Sequence, residues 1–235
     1  MPPRGQSVKK SRRSAKKARR PARSHLLIIE CDFRKLTADK LDFAAPFAAV
    51  IGRLFPNKRI ALVQSSSESE LASDLGRVFQ QLGRFRSILI VGHSNESGLM
   101  LAADCLRSWH VVGKWLCKFE PEFCFLAACE AGRSAAVREL FAPVPTLRQI
   151  FASPVAVSLA QSTPLGLLIC MLLKQSSIDE EGSGVLRIAN YILTGGQLFR
   201  WKRQESGAGE ELNGVLKDFA ADFLQQIFSR ARRRV

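Results

Sequence analysis

Phe123-Cys124-Phe125-Leu126-Ala127-Ala128-Cys129-Glu130-Ala131-Gly132 is the stretch that decides how this chain folds. Its apolar run is too short for a core helix and stops at a turn-prone Cys-Glu-Ala-Gly. That is the pattern of a strand buried on both faces. Ser87-Ile88-Leu89-Ile90-Val91-Gly92-His93 has the same shape and also ends on a polar, reactive residue before a turn. Helix-period segments lie between such runs, so the strands are expected to be parallel in one helix-covered sheet. A parallel pair brings its carboxyl ends to one edge, and His93 and Cys129 would emerge there together.

Working outward, Leu26–Cys31 reads as a first strand ending at Asp32, and residues 38–54 as a helix with Phe43, Phe47, Val50, Ile51 and Leu54 on one face. Arg59–Val63 is expected to be a second strand. Ser67-Glu68-Ser69-Glu70 opens a helix through Leu82, with Gly83 as its stop. Leu99–Ala102 reads as a hairpin arm, and Leu106 through Leu116 as a helix. Ser134–Phe141 reads as a short helix, Val155–Leu159 as strand five and Pro164–Leu173 as a core helix. Beyond Ser176 come a polar loop, a helix through Tyr191, a polar stretch over 203–211 and an amphipathic helix with Leu212, Leu216, Phe219 and Phe223. The expectation is one α/β domain over 25–235, with a sheet of five to six strands, helices on both faces and a C-terminal helical extension over 205–235.

The formal net charge of +14 belongs to a tail rather than to this domain. Residues 1–24 hold ten Lys and Arg and no acid; without them, 25 basic residues face 21 acids. With almost no apolar side chain, the tail is expected to be disordered. It lacks the apolar stretch of a secretory signal. Its lysines and arginines suit weak contact with phosphates or nucleic acid. The six cysteines include no CxxC and only three histidines accompany them, which argues against a zinc site. No signal for export is present, so a reducing, cytoplasmic setting is expected. The apolar stretch 154–173 is broken by Gln161-Ser162-Thr163-Pro164, and no transmembrane segment is expected.

Ligands of open parallel sheets bind beyond the carboxyl ends of the strands. A thiol there needs a base to become nucleophilic near neutral pH. A histidine within reach can take its proton and later return one to a leaving amine. His93 and Cys129 are therefore the candidate catalytic pair. The backbone N–H groups of Cys129 and Ser94 are candidate oxyanion donors.

The order of these elements resembles the caspase-like clan, and the CHAT peptidase family most closely. The strand-plus-histidine segment 88–93 and the strand-plus-cysteine segment 125–132 carry the likeness, the latter being similar to the "S-A-C-E-T-G" segment of CHAT domains. The resemblance covers about residues 25–200. It implies a caspase-like fold and a cysteine endopeptidase with no metal or organic cofactor, acting on a protein or peptide. It further implies that Pro154–Leu159, including Ser158, shapes the specificity pocket. Ser94 stands where these enzymes usually carry glycine, and Ala127 where they carry an acid or glutamine. Asp32 is then the candidate acid for a basic substrate residue, and Glu130 a candidate substrate contact. Residues 130–151 leave no room for a cleavable inter-subunit linker, so activation by a partner protein or assembly is expected instead. The alternative is an inactive caspase-like interaction module whose basic tail binds nucleic acid or another protein. An α/β hydrolase is disfavoured, because no G-x-S-x-G occurs.

Overall fold

The structure, a computed structural model, describes residues 24–31, 44–102, 105–155, 166, 169–170, 173–174, 199–202 and 210–211. In chain order the elements begin with β1 (Ser24–Cys31), α1 (Ala44–Leu54), β2 (Ile60–Ser65), α2 (Glu68–Leu82) and β3 (Phe85–Val91). The short strands β4 (Ser94–Asn95), β5 (Gly98–Ala102) and β6 (Cys105–Ser108) follow, then α3 (Trp109–Cys117) and β7 (Phe123–Ala127). Last come α4 (Ser134–Phe141), β8 (Gln149–Ala152), β9 (Phe199–Lys202) and β10 (Glu210–Glu211).

The main sheet runs β10-β9-β8-β7-β3-β1-β2. Its five strands from β8 to β2 are parallel, while β9 and β10 are added antiparallel. This is the parallel-dominated α/β sheet expected from the alternating runs, and it is consistent with a caspase-like architecture. β4, β5 and β6 form a separate antiparallel sheet inserted after β3.

Side-chain alternation divides the core in two. Leu27, Ile29, Ile88, Ile90, Cys124 and Leu126 face α2, α3 and α4, where Leu71, Leu75, Trp109, Leu116 and Leu140 are all buried. Leu26, Ile28, Leu89, Val91, Phe125 and Ala127 face the other way, against Ala44 and Ile51 of α1 and against Ile169 and Leu173. Helical segments thus cover both faces. Local signals set the helix ends: Ser67 Oγ accepts from the Glu70 N–H at the start of α2, and the Gly83 N–H donates to Phe79 O at its end.

Two expectations need correction, and two strands join the sheet that were not expected. The parallel neighbour of β7 is β8, at Gln149–Ala152; of the strand expected over 155–159 only Val155 lies within the described residues. Both Arg148 N–H and Gln149 N–H donate to Glu122 O (2.9 and 3.2 Å), which seats β8 beside β7 from its first residue. Pro154, with no N–H, cannot extend the ladder. Cys105–Ser108 is strand rather than helix, because Ser108 Oγ caps α3 through the Val111 N–H and so starts that helix at Trp109. Beside the five parallel strands, Phe199–Lys202 pairs antiparallel on β8. Glu210–Glu211, within the polar stretch expected over 203–211, forms strand β10 on β9. The basic tail, the helix before residue 44, the Tyr191 helix and the helix over 212–228 lie outside the described residues.

Candidate functional site

The register of β3 and β7 puts His93 and Cys129 level with each other. Val91 is opposite Ala127, and the Gly92 N–H continues the ladder to Ala127 O at 3.3 Å. His93 and Cys129 are therefore each two residues past the last paired positions. The residues just before them have a defined side. A Cβ on Gly92 would lie 3.1 Å from Leu99 Cδ1 and 3.3 Å from Cys31 Cβ, both on the face covered by α2 to α4. Ala128 is buried on that same face. His93 and Cys129 follow these two residues, beyond the ends of β3 and β7.

His93 is half-buried and its Nε2 atom is sealed from solvent. Burial lowers its pKa from the usual histidine value, so the imidazole is neutral at pH 7 and able to accept a proton. Its carbonyl accepts from the Met100 N–H at 2.9 Å, which makes Ser94 and Leu99 a non-hydrogen-bonded pair of the β4–β5 ladder. The Ser94 N–H is consequently left on the outer side of that hairpin.

Cys129 stands at a chain reversal and is partly exposed, unlike the buried Cys124 of the same strand. Glu130 has a φ of 57°, in the left-handed region that a non-glycine residue enters at a cost of about 1–2 kcal/mol. The reversal sends residues 130–132 back against 153–155: the Glu130 N–H donates to Val155 O at 3.1 Å, and the Gly132 N–H to Ser153 O at 2.8 Å. Only glycine fits at 132, since a Cβ would come within 2.6–2.8 Å of backbone atoms of residues 152–154. Across the gap, Ser94 Oγ donates to the Cys129 carbonyl.

Arg133 ties the rim together. Its guanidinium reaches Glu96 in the β4–β5 turn at 2.7 Å, Glu130 at 3.2 Å and Pro154 O at 3.4 Å. One pleat below the pair, Glu30, Val91 and Ala127 lie in a single row by register. Glu30 is buried, and its carboxylate accepts from Gln64 Nε2 at 2.6 Å and from the Ala44 N–H at 3.2 Å.

His93, Ser94, Cys129 and Glu130 are thus gathered at one sheet edge, whereas Asp32 and Ser158 lie outside the described residues. Arg133 and Glu30 were not singled out by sequence reasoning. Two signals were there: an acid inside the apolar run 26–31, and the three-residue spacing of Glu130 and Arg133. None of the six cysteines forms a disulfide. Burial pushes the Cys31 thiol up to about 12, with Glu30 adding to it, and raises Cys124 further. Those two thiols are packing groups. Trp109 and Trp201 are buried as expected of core aromatics. Among the described residues no group of three or more His, Cys, Asp and Glu could hold a metal, and no helix is long and apolar enough to cross a membrane. No protein-family model matches the chain, and no curated protein matches it.

Proposed function

We propose that this chain is a cysteine endopeptidase of caspase or CHAT type, with Cys129 as nucleophile and His93 as general base and then acid. The observation that carries the reading is the β3–β7 register. It sets a neutral imidazole and a partly exposed thiol level with one another at the carboxyl edge of a parallel sheet. His93 would take the thiol proton, and the thiolate would attack a peptide carbonyl. The Cys129 and Ser94 N–H groups would hold the oxyanion. His93 would return the proton to the departing amine, and water would hydrolyse the thioester. The chemistry draws on no metal or organic cofactor. Asp32, Glu130 and Ser158 are the substrate-contact candidates, the substrate is a protein or peptide, and the setting is cytoplasmic. With only 22 residues from Glu130 through Phe151, there is no room for a cleavable linker, so a partner protein or assembly is the proposed switch.

One observation favours a second reading. A sealed Nε2 is what a packing histidine would show, so an inactive caspase-like module is the alternative. In it, the ten basic residues of 1–24 would hold nucleic acid or another partner. Iodoacetamide labelling near neutral pH separates the two. The peptidase requires Cys129 to react ahead of the other five thiols and to slow in His93→Ala. It also requires cleavage of a peptide library that disappears in Cys129→Ala. Labelling without preference, together with salt-sensitive nucleic-acid retention lost on deleting 1–24, would favour the module.

A further inference from the structure

The peptide linking Cys129 to Glu130 is held at both of its polar ends. Its carbonyl, on Cys129, accepts from Ser94 Oγ. Its N–H, on Glu130, donates to Val155 O at 3.1 Å. The residue that follows the carbonyl is the one with φ of 57°, a conformation a glutamate does not hold without restraint. The two bonds come from opposite sides: Ser94 follows the histidine strand, and Val155 follows β8. Together they fix the plane of the peptide and so the direction in which the preceding residue leaves the strand.

The side chain of Ser94 has no counterpart in a chain with glycine at this position. We infer that the Ser94 hydroxyl is a positioning group, which pins the Cys129–Glu130 peptide in its left-handed turn and thereby sets the Cys129 thiol relative to His93. This rests on the reading of Cys129 as the nucleophile. Its action is indirect, through the Cys129 carbonyl, so Ser94 contributes twice by different atoms: the backbone N–H toward the proposed oxyanion, the hydroxyl toward the turn. Ser94 is partly buried, and its bond to Cys129 is screened from water on one side. Substitution by alanine removes the hydroxyl and keeps the backbone; substitution by threonine keeps the hydroxyl.

The test compares the full-length protein with its Ser94→Ala, Ser94→Gly and Ser94→Thr variants in two measurements. The first is hydrogen exchange of the Glu130 amide, which reads the turn whether or not the protein is an enzyme. Ser94→Ala and Ser94→Gly should speed it by roughly fivefold, the factor that one ordinary hydrogen bond supplies, and Ser94→Thr should restore it to within about twofold. The second is the pH profile of Cys129 alkylation, whose midpoint should rise in Ser94→Ala and return in Ser94→Thr. Unchanged Glu130 exchange in both the alanine and glycine variants would overturn the pin. So would a slower alkylation with an unmoved midpoint that threonine fails to rescue, which is the mark of lost packing. A Cys129 that reacts no faster than the other thiols in the wild type overturns the dyad instead, and with it the catalytic meaning of the pin.

Discussion

The two faces of the sheet are built differently. On one, α2, α3 and α4 bury Leu71, Leu75, Trp109, Leu116 and Leu140 in a cluster that continues up to Ala128 and Ala131, past the end of β7. On the other, Ala44 and Ile51 of α1 pack with Ile169 and Leu173, and the last row of the strands carries Glu30, Val91 and the small Ala127. His93 and Cys129 stand just beyond the strands that carry this row. The lesson is that one face is closed by hydrocarbon alone, while the other buries a hydrogen-bonded carboxylate, Glu30, in the row next to the site. Cys124 and Cys129 make the point five residues apart: one thiol is sealed in the first face, the other is partly exposed past the end of β7.

The largest effect should come from weakening the closed face. Trp109 is fully buried and its indole N–H donates to Asn95 O at 3.1 Å, so it also anchors the β4–β5 turn beside the site. Trp109→Ala should lower stability by about 3–5 kcal/mol in urea unfolding; a loss under about 1 kcal/mol would break the claim that this face carries the fold. Next is the contrast between thiols. Under native conditions Cys129 should be alkylated on the order of 100-fold faster than Cys124 or Cys31, because buried groups react only after local opening. Mass-spectrometric mapping of a short iodoacetamide pulse reads this, and equal labelling would erase the distinction between the faces.

Glu30 comes third. Glu30→Ala leaves Gln64 and the start of α1 without their acceptor, and it should destabilise the protein by about 1–3 kcal/mol in the same unfolding assay. An unchanged midpoint would show the row below the pair to be solvated. The smallest effect is in pH dependence. Burial depresses the folded-state pKa of His93, so below the unfolded value of about 6.5 the unfolded chain binds more protons than the native one. The His93 contribution is full above that pH and declines as pH falls toward the depressed folded value. His25 is depressed as well, chiefly by burial and then by Lys58, Arg86 and Arg59, and adds to the slope in the same sense. Comparing unfolding free energies at pH 7.5 and 5.5, His93→Gln should show a shallower, not a flat, loss.

Much of this architecture is legible where local chemistry is unambiguous. Phe123–Ala127 and Ser134–Phe141 could be bounded from their residues because a turn signal stands at each end. Ser67 and Gly83 likewise announce α2. Cys105–Ser108 is obscured because Leu106 falls in phase with the helical residues Trp109 and Leu116, and only pairing with β5 makes it strand. β8 is hidden for a related reason. Gln149-Ile150-Phe151-Ala152 is short and begins with a polar residue, while the longer Val155–Leu159 run has the stronger strand composition. At the site, the two reactive residues stand out by their position after apolar runs. The support around them does not, because Ser94, Glu130, Arg133 and Val155 meet only through the reversal at 130.

The far edge of the sheet carries a consequence for how the protein behaves in a crowded solution. Its last strand, β10, is two residues long, and both are glutamates. An exposed strand edge is a template onto which another chain can add, and short, charged edges are the common defence against it. Among the described residues, a second copy approaching edge to edge would find two rungs to pair with, in a segment whose sequence is acidic. Replacing that dipeptide with valines would turn a blunt border into an adhesive one.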